Sequence, residues 1–147
     1  MIIKPAEMKE IDRFEYDGIE QEVLKSMDWR SQLKQYLLLG PAWTGIHERE
    51  IVGFAGFYQI SPGVAQAWML FSKSARIHAK SIASNVKAKL EPVFGNGKFH
   101  RIQTFVFDGE KAAEKYVSLM GFVRESELEA FGPNKENMIV YKMVVKP

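Results

Sequence analysis

No cysteine occurs anywhere in the 147 residues. A disulfide framework, a thiolate zinc site and a cysteine nucleophile are therefore all excluded. Histidine is scarce too, with three residues, His47, His78 and His100, at spacings unlike HExxH, so no metal site is expected. No apolar run approaches the length needed to span a bilayer. The start, Met1 to Pro5, lacks the long apolar stretch and cleavage site of a secretory signal. The expectation is a protein without membrane association, made and retained in a cytoplasm. Charge of one sign is not in excess either: 20 basic and 18 acidic residues leave a net +2. The cations are spread along the chain, and Lys87 and Lys89 read as the wet face of a helix, so no nucleic-acid partner is expected.

What remains is an ordinary globular composition, 46% hydrophobic and 26% charged. The length suits one domain over residues 1–147 with a real core. There is no internal repeat, low-complexity stretch or linker that divides it.

Ile2 and Ile3 begin a short strand that Pro5 stops. Met8, Ile11 and Phe14 recur at helical spacing, Tyr16-Asp17-Gly18 breaks the pattern, and Ile19, Val23, Leu24 and Met27 form a second stripe. Asp28 is a candidate N-cap for a helix carrying Leu33, Tyr36 and Leu37, which Gly40-Pro41 ends. Three strands are predicted next: Ala42 to His47, Ile51 to Ile60 and Val64 to Ser72, separated by Glu48-Arg49-Glu50 and Ser61-Pro62-Gly63. Connections this short make them an antiparallel meander.

The clearest helix follows, with Ala79, Ile82, Ala83, Val86, Leu90 and Val93 on one face and Gly95-Asn96-Gly97 at its end. Arg101 to Phe107 is a strand, so strand, long helix and strand make a crossover with the two strands parallel. Asp108 is the expected cap of a further helix lined by Ala113, Tyr116, Val117 and Met120, with Gly121 at its left-handed terminus. Val123 to Phe131 and Met138 to Val145 are the last two strands. The expected core comprises Ala79, Ile82, Ala83, Val86, Leu90, Phe105, Val117, Met120 and Phe122. The fold class is α/β, a mixed sheet with antiparallel strands 2–4, parallel strands 4 and 5, and helices on both faces.

That order resembles the GNAT acetyltransferase family over nearly the whole chain. Ile51-Val52-Gly53-Phe54-Ala55-Gly56-Phe57 is similar to the family's third strand. Ala113 to Phe122, reading AEKYVSLMGF, resembles the helix that ends in Gly-Phe near the acyl thioester. Phe131-Gly132-Pro133-Asn134 with Met138-Ile139-Val140-Tyr141 looks like the closing hairpin. Ala67-Trp68-Met69-Leu70, His100-Arg101-Ile102-Gln103, Tyr116 ahead of Met120-Gly121-Phe122, and Phe131-Gly132-Pro133 also resemble acetyltransferase-like proteins of tailed bacteriophages, some virion-associated.

The resemblance implies acetyl-CoA as co-substrate, with no metal, and a small-molecule or protein amine as acceptor; a homodimer is left open. It implies that the pantetheine arm runs beside Met69, Leu70 and Phe71. The diphosphate belongs at the start of the next helix, over Ser72, Lys73, Ser74, Ala75, Arg76 and Ile77. This loop departs from the family, which places two glycines there; every residue here carries a Cβ that limits close approach. Lys73 and Arg76 supply the charge instead. Of the family's Asn, Ala and Tyr on the next helix only Ala113 matches, since Glu110 and Val117 occupy the other two positions. Tyr116 lies one residue out of register, about 100° around the helix; it is the candidate acid, and a packed core tyrosine is the alternative. Ser118 is a second candidate. Glu48, Glu50, His47 and His100 are candidate bases, and also plain turn or strand-end residues. Trp68 is read as an acceptor-pocket wall or as packing under a helix. Two functions follow from this reading: direct acetyl transfer to a primary amine, or a GNAT-fold binding or structural protein that has lost catalysis.

Overall fold

The computed structural model describes residues 1–17 and 28–145. The stripe expected at Ile19, Val23, Leu24 and Met27 lies outside them. Seven strands form one sheet in the order β1-β2-β3-β4-β5-β7-β6. They are β1 (Ile2–Pro5), β2 (Ala42–His47), β3 (Glu50–Ser61), β4 (Val64–Phe71), β5 (Arg101–Phe107), β6 (Val123–Leu128) and β7 (Met138–Val144). The helices are α1 (Met8–Arg13), α2 (Trp29–Leu39), α3 (Ala79–Gly95) and α4 (Lys111–Leu119), with a 3-10 segment over Lys73–His78. Among the described residues, no helix is long and apolar enough to cross a membrane.

The meander is present: β2 pairs antiparallel with β3, and β3 with β4. Glu48 and Arg49 close the β2–β3 hairpin with φ of 49° and 69°, the two left-handed residues a two-residue hairpin turn demands. β4 and β5 are parallel, joined through the 3-10 segment and α3.

Burial on both faces of the sheet explains why β3 and β4 read as near-continuous apolar runs. Ala65 and Ala67 of β4 pack with Ile82, Ala83 and Leu90 of α3 and with Val117 and Met120 of α4. Trp68 and Leu70 turn to the opposite face, where Ile11, Phe14, Leu33 and Phe54 meet under α1 and α2. Phe14 sets its ring edge-on to Phe54 with centroids 5.2 Å apart, a geometry the ring quadrupoles favour. Asp28 caps α2 as expected, its Oδ1 accepting from the Ser31 N–H at 3.2 Å. Gly121 ends α4 at φ 98°, which lets the Phe122 N–H reach back to Val117 O at 3.0 Å.

Three expectations are corrected. α4 is entered at Glu110 rather than Asp108. Gly109 turns the chain at φ 87°, and the Asp108 N–H instead donates to Asn137 O at 3.0 Å. β6 stops at Leu128, because Ala130 takes a φ of 54° that breaks the ladder and turns Phe131 out into the loop. Phe105 is half-buried and lies outside the core. It borders a cavity that Thr104 and Val106 also line, but those two neighbours are buried and Phe105 is not.

Candidate functional site

The ladder between β4 and β5 holds three pairs, Val64↔Arg101, Ala65↔Ile102 and Gln66↔Gln103. Beyond Gln66 and Gln103 both strands continue but no longer pair. β4 stays on β3 through Phe71↔Gly53, and β5 stays on β7 through Phe107↔Met138. Each strand follows its outer neighbour, and the sheet opens into a V. A cavity of about 440 Å³ occupies the opening, within the range of small-molecule sites.

A polar relay closes the vertex. Gln103 Nε2 donates to Gln66 Oε1 at 3.3 Å, and Arg101 Nε donates to Gln103 Oε1 at 3.1 Å. Arg101 then grips Glu125 with both Nη atoms, at 2.9 and 2.5 Å. A bulge between Arg124 and Ser126 of β6 leaves Glu125 without a partner in the ladder, and its carboxylate also meets Lys142 at 3.0 Å. The Arg101 and Lys142 hydrogen bonds hold the Glu125 carboxyl at about 2.

Met69, Leu70, Phe71, Ser72 and Lys73 all border the cavity, and so do Arg76, Ala113 and Tyr116. Leu70 and Ser72 are buried, and Met69 and Phe71 are half-buried. The β5-facing edge of Ala67–Phe71 has no strand partner among the described residues, so it presents the exposed ladder that an amide-bearing chain can join. Ser74, Ala75 and Ile77 do not border the cavity.

The glycine-free loop folds as the 3-10 segment, and this changes its donors. The Lys73 N–H is already held by Asp17 Oδ1 at 2.9 Å, and the Ala75 N–H donates to Ser72 O at 3.1 Å. Ser72 Oγ and Ser74 Oγ bond to each other at 2.7 Å. What the segment offers an anion is therefore mainly charge, from the exposed side chains of Lys73 and Arg76.

Tyr116 is buried, 8% exposed, among the core residues beneath β4. Its ring lies 5.4 Å from Phe71, and its hydroxyl has no hydrogen-bond partner among the described residues. Burial pushes the phenol above its usual range, with the nearby Arg76 guanidinium partly offsetting this. Arg76 likewise offsets the upward push of burial on the Glu110 carboxyl. Val117 packs into the core and Ser118 is exposed; Ser118 does not border the cavity. Tyr116 is thus both a packed tyrosine and a cavity wall.

The opposite side of the opening is aromatic. Trp29, Tyr36, Trp68, Phe105, Phe107 and Phe131 border it. Tyr36 stacks on Tyr58 and lies against Trp68, both at 5.2 Å between centroids. Burial and then the Tyr58 hydroxyl push Tyr36 to about 12, against a smaller downward pull from Gln32. Gly56 pairs with Trp68, and its missing Cβ makes room for the indole, since a Cβ there would lie 2.7 Å from Trp68 Cζ2. Phe131, Phe105 and the α2 residues went unnoticed as site residues in the sequence. The odd-numbered aromatics of β5, Phe105 and Phe107, were the available signal.

None of Glu48, Glu50, His47 and His100 borders the cavity. His47 lies against His78, the rings tilted by 51° with centroids 4.1 Å apart. Glu48 and Glu50 are exposed at the hairpin, and His100 sits beside Gly63 at the far end of β5. Among the described residues no group of three His, Asp or Glu side chains is placed to hold a metal.

A mixed seven-stranded sheet whose parallel central pair splays apart is the fold of the GNAT acetyltransferases. The chain superposes on a GNAT-family acetyltransferase from Bacillus anthracis with a TM-score of 0.72 at 16% identity, covering 97% of this chain and 93% of that one. It superposes equally, at 0.72 and 14% identity with the same coverages, on a ribosomal L7/L12 alpha-N-protein acetyltransferase in complex with coenzyme A. A variant of the spermidine N-acetyltransferase from Vibrio cholerae gives 0.67 at 10% identity, over 98% of this chain and 95% of that one. Sequence comparison is silent: neither a protein-family model nor a curated protein matches.

Proposed function

We propose that the protein transfers an acetyl group from acetyl-CoA to a primary amine by direct attack. The observation that carries this is the β4–β5 ladder ending at Gln66 and Gln103 above an open cavity. The free edge at Met69, Leu70 and Phe71 suits the amides of the pantetheine arm. Ala113 keeps the start of α4 slim beside it. Lys73 and Arg76 attract the diphosphate, and the tightly wound backbone keeps it at side-chain distance.

In the reaction the neutral amine nitrogen bonds to the thioester carbonyl carbon and the carbon–sulfur bond breaks. The sulfur takes a proton to form the thiol, and the proton released by the amine passes through solvent to restore the proton donor. Tyr116 is the candidate for giving the leaving sulfur its proton, because it borders the cavity and its hydroxyl has no hydrogen-bond partner among the described residues. Positioning in the V supplies most of the acceleration. Thiol release from acetyl-CoA on addition of primary amines tests this; no release with any amine tried, despite acetyl-CoA binding, overturns it.

One observation favours a second reading, in which the fold is kept and catalysis lost. Asp17 occupies the Lys73 N–H at the very place an anion is expected. A protein that binds neither acetyl-CoA nor coenzyme A supports that reading.

A further inference from the structure

We propose that the acceptor is a monoamine carried on an aromatic body, rather than a polyamine. This rests on the acetyl-transfer reading and names the substrate class of the same cavity. The face of the opening away from α3 and α4 is walled by rings on three separate elements: Trp29 and Tyr36 on α2, Phe105 and Phe107 on β5, and Phe131 in the β6–β7 loop. Phe105 and Phe131 lie 5.1 Å apart, tilted by 46°. Phe131 remains 54% exposed despite its size, so part of a large apolar ring faces solvent at the edge of the opening. A flat apolar group laid between these rings would recover contact area that the protein alone leaves open.

Charge points the same way. Among the described residues no Asp or Glu borders the cavity, and the charged groups there are Lys73 and Arg76. A polyamine brings two or more ammonium groups to a lining whose charged side chains are both cations, with the Asp17 carboxylate on the Lys73 N–H at its edge, and like charges at close range repel. A monoamine has one ammonium to discharge. Apolar walls disfavour its charged form, so the amine reacts as the neutral nucleophile. The walls that select the aromatic body thus also favour the neutral amine, whose proton is left in solvent, which accords with the absence of all four candidate bases from the cavity lining.

The test compares phenethylamine with putrescine as acceptors for the full chain with acetyl-CoA, following free thiol. The expected result is a kcat/KM for phenethylamine about ten-fold or more above that for putrescine, the scale of a few buried methylene equivalents. Phe131→Ala should lower it about five- to ten-fold through KM, leave acetyl-CoA affinity unchanged and, being exposed, leave folding intact. Putrescine used as well as or better than phenethylamine overturns the proposal, and so does a Phe131→Ala variant that behaves as the parent. Binding of phenethylamine alone, read by ligand-observed NMR, separates the two claims. Binding that Phe131→Ala weakens, with no acetyl-CoA binding or thiol release, defeats acetyl transfer and leaves the aromatic-amine site standing. No binding of phenethylamine with or without acetyl-CoA defeats the site.

Discussion

Gln66 and Gln103 are the last residues paired between the parallel strands, and their side-chain amides bond to each other at 3.3 Å where the sheet divides. Gln66 is 8% exposed, so its amide is a polar group that must be satisfied inside the protein. The relay through Arg101 to Glu125 ties this vertex to the far edge of the sheet.

Replacing Gln103 with Leu leaves Gln66 Oε1 buried without its donor. The expected cost is about 1–3 kcal/mol, read as a lower midpoint in urea denaturation. The double change of Gln66 and Gln103 to Leu should cost less than the sum of the two single changes, because both partners then go together.

The Glu125 pair makes the edge sensitive to acid. Its folded pKa of about 2 lies below the ordinary 4.5, so its contribution is fully present above about pH 4.5 and is lost as the pH falls toward 2. Stability measured for the parent and for Glu125→Gln should therefore differ at neutral pH, with the gap shrinking as the pH falls from about 4.5 through about 2. A gap as large at about pH 2 as at neutral pH contradicts the pairing.

Leu90, on the inner face of α3, is 3% exposed. Leu90→Ala should destabilise the protein by roughly 2–5 kcal/mol through lost burial and the cavity left behind. Thermal or urea unfolding reads the change directly.

Most of the fold was legible because its signals are local. The period of Ile82, Val86 and Leu90, the hairpin at Glu48-Arg49 and the turn at Pro62-Gly63 each specify a neighbour, and β5 was placed residue for residue. Phe105 departs from the expected core because alternation marks two faces without saying that this end of the strand borders a cavity. Asp108 was misjudged as a cap because Gly109 adds a turn before α4. The candidate site was half legible: Met69 to Lys73, Arg76, Ala113 and Tyr116 border the cavity. Ser74, Ala75 and Ile77 do not, since a segment without glycine winds into a 3-10 turn and carries them aside. The aromatic wall was hidden because α2, β5 and the β6–β7 loop meet only in three dimensions.

Tyr116→Phe keeps the ring beside Phe71 and removes only the hydroxyl, which has no partner among the described residues. Loss of a general acid should lower kcat by about 10²-fold or more while acetyl-CoA affinity and folding stability hold. Unchanged kcat assigns the hydroxyl no part in proton transfer.

The most direct measurement is calorimetric titration of acetyl-CoA into the parent protein and into a Lys73→Ala, Arg76→Ala double variant. The predicted result is one site per chain, weakening as salt rises because charge rather than enclosed backbone donors holds the diphosphate. Affinity should fall by about ten-fold or more in the double variant. Ser61 and Lys135, both away from the cavity lining, serve as control positions. No heat at millimolar acetyl-CoA, or tight binding indifferent to the double change, would contradict the account.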